Sequence, residues 1–211
     1  MWAKWANKRT AIFSAALIGG ALALSTAPAA AQFFPASPQY PAAPQYAPQP
    51  EPQDGDTDLS SSLQRQVVAY SSNEPAGTIV IDTPHAFLYL TLGGGKALRY
   101  GIGVGREGFT WSGTQNVTKK AEWPDWTPPP EMIERQPYLP RFMAGGPGNP
   151  LGARAMYLGT TVYRIHGTNR PDTIGTKVSS GCFRLVNADV ADLYDRVPVG
   201  TKVIVRQKPE L

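Results

Sequence analysis

Cys182 is the only cysteine of the chain and stands 16 residues after His166, one of two histidines, in the stretch HGTNRPDTIGTKVSSGC. A thiol attacks carbonyl carbon only as its thiolate, and a free cysteine is mostly protonated near neutral pH. A neighbouring imidazole can take that proton and hold the thiolate as an ion pair, the nucleophile–base logic of covalent catalysis. A gap of this length fits a strand, a loop and a second strand or turn, so the two side chains can meet. Gly181 removes a side chain just before the thiol. The amides of Gly181 and Cys182 are then natural donors to an oxyanion. Gly167 offers a carbonyl to the second ring nitrogen of His166, which would fix the tautomer.

A lone cysteine is also commonly a small buried hydrophobe, and a histidine can simply end a strand. Against that, the chain starts like an exported protein, where a lone thiol stands out. The thiol also sits in a Ser179-Ser180-Gly181 turn beside Arg184, outside any apolar run. The residues alone leave nucleophile and structural thiol both open.

The elements that must position this segment read mostly as strands. Residues 78–82 are β-branched and apolar. Residues 86–92 alternate, with Phe87, Tyr89 and Thr91 on one side and Leu88, Leu90 and Leu92 on the other. Gly93-Gly94-Gly95 turns the chain into a returning strand over 97–104, a hairpin. His85, beside Pro84 and without an acidic or thiol partner close in sequence, reads as structural. Residues 105–152 are the least regular, with Trp111, Trp123, Trp126 and a proline-rich run after them. That composition suits a flap over an extended peptide and suits core packing equally; a short helix is predicted over 130–136. Strands over 155–158 and 161–166 follow, leaving His166 at a strand end. Tyr157 and Tyr163 are candidates for cleft walls, although tyrosines on strands usually pack. Asn187 is expected to cap a helix running to Arg196, with Val190, Leu193, Tyr194 and Val197 as its apolar stripe. Residues 202–205 form a last strand.

The first 65 residues of the chain are unlike this domain. Lys4, Lys8 and Arg9 precede an apolar stretch over 11–25, and Ala29-Ala30-Ala31 supplies small residues for cleavage. This is the layout of a secretory signal peptide over 1–31, cut after Ala31, with an uncleaved anchor as the alternative. Residues 32–65 form a Pro/Gln-rich spacer with too few apolar residues for a core. The single catalytic domain is placed at 66–207. The formal charge of +4 falls to +1 without Lys4, Lys8 and Arg9. No concentrated basic patch is left to suggest nucleic acid. One cysteine and two histidines form no metal-ligand pattern, so no metal or other cofactor is expected.

The motif resembles the L,D-transpeptidase catalytic domain of the YkuD type, in its exported Gram-negative form. The match reads Ile165-His166-Gly167-Thr168, then Ser179-Ser180-Gly181-Cys182-Phe183-Arg184-Leu185, then Asn187, within a resemblance spanning about Gly77 to Val205. Ser180 departs from the pattern, since many members carry a second histidine there. The resemblance implies a mainly β fold, a β-sandwich or open barrel with a short helix near the C-terminus. It implies a periplasmic enzyme in which Cys182 attacks a peptidoglycan stem peptide, His166 is the base and a 3→3 cross-link results. Ser179, Ser180 and Gly181 would shape the oxyanion loop, and Arg184, Tyr157 and Trp126 would contact substrate. Water as acceptor would make an L,D-carboxypeptidase, and an outer-membrane protein as acceptor would be anchored to the wall. An inactive wall-binding protein is the non-enzyme alternative. Carbapenems are expected to acylate Cys182.

Overall fold

The computed structural model describes residues 59–207. The signal-like start and residues 32–58 of the spacer lie outside them. The chain builds β1 (Gln66–Ala69), β2 (Ile79–Asp82), β3 (Phe87–Gly93), β4 (Lys96–Gly101), β5 (Val104–Gly105) and β6 (Gly113–Glu122). Helix α1 (Pro130–Arg135) separates these from β7 (Arg154–Leu158), β8 (Arg164–His166), β9 (Lys177–Ser179) and β10 (Phe183–Arg184). Helix α2 (Asn187–Arg196) and β11 (Lys202–Arg206) finish the domain. The fold is mainly β, as expected, with its longer helix near the C-terminus.

Nine strands pair in the order β1-β4-β3-β2-β11-β6-β7-β8-β10, and β5 pairs with β9 separately. β6 joins two halves of the large sheet. Residues Gly113 to Asn116 pair with β11, while Val117 to Glu122 pair with β7. A strand that changes partner along its length turns a sheet corner. One core cluster draws on both halves: Ile79 and Ile81 of β2, Leu88 of β3, Met156 and Leu158 of β7, Ile165 of β8 and Val203 of β11. Val190 and Leu193 of α2 are fully buried in it, and Val197 just after the helix joins them. Each such side chain contributes roughly 1.5–3 kcal/mol. Among the described residues no helix is long and apolar enough to cross a membrane.

Four expectations need correction here. Residues 105–152 contain β6, the longest strand, which apolar alternation does not reveal because Val117 is its only fully buried residue. The alternation over 86–92 fails at its end: Thr91 is buried and Leu92 exposed, where the β3–β4 register shifts. The Thr91 hydroxyl is satisfied inside, donating to the Pro75 carbonyl at 2.6 Å and accepting the Thr78 amide at 2.9 Å. His85 does have an acidic partner, Asp82 Oδ2 at 2.7 Å from its Nδ1, which leaves it a structural residue outside the cleft. Finally, residues assigned to the end of the spacer already join the domain. The Leu63 carbonyl accepts the Gly101 amide at 3.1 Å, and Arg65 pairs with Asp192 at 3.1 Å.

Candidate active site

His166 is the last residue of β8, between β7 and β10. It is buried, and its Nδ1 lies 2.6 Å from the Gly167 carbonyl. A carbonyl only accepts, so Nδ1 carries the proton and Nε2 is the basic nitrogen. Gly167 must be glycine, because a Cβ there would run into Asn187 Oδ1 and lie 3.0 Å from the Ala153 amide nitrogen. Burial pushes the imidazole pKa down to about 3, and the Arg184 and Arg164 charges add to the effect. The hydrogen bonds to the Gly167 and Leu151 backbone oppose it without reversing it. His166 is therefore neutral around pH 7.

Cys182 leaves the turn between β9 and β10. Ser179 Oγ closes that turn, donating to the Cys182 carbonyl at 2.6 Å and accepting the Gly181 amide at 3.2 Å. Gly181 has φ +104°, and a Cβ there would lie 2.5 Å from the Tyr163 ring. Only glycine suits both the conformation and the contact. Trp111 Nε1 donates to the Gly181 carbonyl at 2.9 Å, and its indole stacks on Tyr163 with centroids 4.6 Å apart. The half-buried thiol lies 3.9 Å from the Val162 carbonyl. Burial pushes its pKa up, while Arg164 and Arg184 pull it down. Burial thus disfavours the charged form of each group taken singly.

The β8–β10 ladder brings the reactive groups together. The strands are parallel, with Phe183 opposite Ile165 and Arg184 opposite His166. Side chains alternate along a strand. Ile165 and Phe183 go to the core, while Arg164, His166, Cys182 and Arg184 all line a cleft of about 470 Å³. Ser179 and Ser180 line it too, as do Tyr163 and Trp126. The opposite wall comes from the proline-rich segment through Pro129, Met132 and Gln136. Helix α1 has no buried residue, while Pro124 and Pro128 before it are buried. Trp126 anchors the segment through reciprocal backbone bonds with Met143, each 2.8 Å. Among the described residues, no three His, Cys, Asp or Glu side chains gather as metal ligands.

Three assignments change. Tyr157 does not line the cleft; its ring lies behind Arg164, whose Cζ is 5.2 Å from the ring centroid. The Gly181 amide is taken by Ser179, while the amides of Ser180 and Cys182 have no internal partner among the described residues. Asn187 does not cap α2, whose N-cap is Val186. Its Oδ1 instead accepts the amides of Ala153 at 3.0 Å and Thr168 at 3.3 Å, tying the segment after His166 to the helix. Sequence reasoning missed Trp111 and Arg164 as parts of the site. The indole gave only an aromatic count. Arg164, two residues before His166, carried a signal in the strand alternation.

The L,D-transpeptidase catalytic domain model, YkuD, matches residues 76–205. The probable L,D-transpeptidase ErfK/SrfK of Escherichia coli K12 is 45% identical over 116 residues, 51% of this chain and 36% of that protein. The probable L,D-transpeptidase YbiS of the same strain is 36% identical over 142 residues, 63% of this chain and 45% of that protein. The matched stretch thus spans less than half the length of either relative. L,D-transpeptidase 3 from Mycobacterium tuberculosis, 16% identical, superposes with a TM-score of 0.51 over 63% of this chain and 62% of that one, a likeness of fold.

Proposed function

The chain belongs to the L,D-transpeptidase catalytic domain family, YkuD, and on that footing we propose that it is a periplasmic enzyme that cross-links peptidoglycan stem peptides through a Cys182 thioester. In this reading residues 1–31 are a removed signal peptide, 32–65 a spacer and 66–207 the catalytic domain. The observation that carries the reading is the common face of the β8–β10 ladder, where His166 and Cys182 line one cleft.

The donor is a stem whose meso-diaminopimelate–D-alanine bond is cut. Cys182 Sγ attacks the carbonyl carbon of that bond as the thiol proton moves to His166 Nε2. The new oxyanion meets the amides of Ser180 and Cys182. Collapse breaks the C–N bond, His166 returns the proton to the departing D-alanine amine, and a thioester remains. The side-chain amine of a second stem then loses a proton to His166 and attacks the thioester. The thiol is released and a 3→3 amide forms. Arg184, whose Nε and Nη2 are buried without a partner, takes a substrate carboxylate. Trp126 forms part of the wall along which the stem lies.

Incubation of the protein with disaccharide-tetrapeptide tests the reading by mass spectrometry of the products. The expected product is a dimer lacking one D-alanine, absent with Cys182→Ala. Release of D-alanine without a dimer would mean water is the acceptor. Unchanged substrate with folded protein would overturn the proposal.

A further inference from the structure

We propose that Arg164, held on the same face of the β8–β10 ladder as Cys182, is the cation that balances the Cys182 thiolate. This rests on the reading of Cys182 as the nucleophile. Arg184 stands opposite His166, so continuing the parallel register one step past Phe183 places Cys182 across from Arg164. Both line the cleft. Cys182 Sγ lies 3.9 Å from the carbonyl of Val162, two residues before Arg164, and the Arg164 charge pulls the thiol pKa down. Arg164 Nε is buried without a hydrogen-bond partner. Arg164 is partly buried, and an anion formed beside a partly desolvated guanidinium gains more than one formed in open solvent.

The other groups do not fill this role. His166 on the same strand stays neutral because it is buried. Arg184 sits farther along β10, its guanidinium against the backbone of Gly103, and acts on the sulfur through charge alone. Arg106 after β5 and Arg135 of α1 bracket the Phe109 ring at 4.3 and 4.9 Å. Among the described residues, Glu131 of α1 is the one acid lining the cleft. Arg164 is itself held by Tyr157, its partner in the β7–β8 register, through the ring contact at 5.2 Å. Tyr157 is thus a positioning residue, acting on the thiol through Arg164.

Alkylation of Cys182 by iodoacetamide, followed against pH, reads thiolate formation directly. The sulfur forms a bond to carbon, iodide leaves and the thiol proton goes to solvent. The reagent is neutral and needs only a reachable thiol, so the result is independent of whether the chain cross-links peptidoglycan. Loss of a nearby cation moves a thiol pKa by about one unit or more. Arg164→Gln is expected to raise the alkylation midpoint by about one pH unit and slow the neutral-pH rate about tenfold. Arg164→Lys should recover most of that loss. Tyr157→Phe should keep the wild-type profile, and Tyr157→Leu should shift it part of the way. A wild-type midpoint in folded Arg164→Gln overturns the proposal. If that variant does not fold, a wild-type midpoint in folded Tyr157→Leu overturns it instead.

Discussion

The Trp111 indole donates to the Gly181 carbonyl at 2.9 Å across 70 residues of sequence. The same ring stacks on Tyr163, whose own ring fills the space a side chain at 181 would need. An aromatic residue just ahead of β6 therefore fixes the turn that presents Cys182.

Trp111→Phe keeps the stacked ring and removes the N–H donor. One neutral hydrogen bond is worth about 1 kcal/mol. The expected result is a roughly five-fold slower acylation of Cys182 with a small drop in Tm. Trp111→Ala removes the ring as well and should cost more in both readouts. Stopped-flow acylation rates beside thermal melts separate the two effects.

Asn187 holds the backbone after His166 from the first turn of α2. Asn187→Ala leaves two inward-facing amides without an acceptor, a loss of about 1–3 kcal/mol. Asn187→Asp keeps an acceptor oxygen and should retain much of that stability. Urea unfolding of the three proteins checks this. A helix-cap role would predict no such rescue pattern at Ala153 and Thr168, whose amide exchange reports the loss locally.

His166 gives stability a defined pH dependence. Its pKa lies near 6.5 in the unfolded chain and about 3 in the folded one. Between those values the unfolded chain binds more protons, so stability rises with pH and falls on acidification. At a pH of about 4.5 the loss from this one group reaches roughly 3 kcal/mol. His166→Gln removes the contribution, so the stability gap between wild type and variant should change across this window. A gap that stays constant from neutral pH to about pH 4 contradicts the buried neutral imidazole.

Much of the site was readable because its chemistry depends on rare residue types. The sole cysteine, the histidine before Gly167 and the glycine before the thiol marked the ladder before any strand was placed. The stripe of α2 and the triple-glycine hairpin were readable because apolar spacing and φ demands are local properties. β6 was not, since its strand state comes from partners on both sides and its residues are mostly polar. Asn187 was misread because capping and bridging use the same side-chain oxygen, and only tertiary structure decides which amides meet it. Tyr157 was misread because strand alternation fixes the face a residue takes but not what lies in front of it, here Arg164.

Cross-linking by this domain requires first that Cys182 be an acyl-accepting thiol served by His166. Intact-mass spectrometry after incubation with a carbapenem tests that most directly, with Cys182→Ala and His166→Gln alongside. The predicted result is one covalent adduct on the wild type, mapped to Cys182, none on Cys182→Ala, and slow accumulation on His166→Gln. A folded wild-type domain that gains no adduct would contradict the account and bring the inactive wall-binding alternative forward.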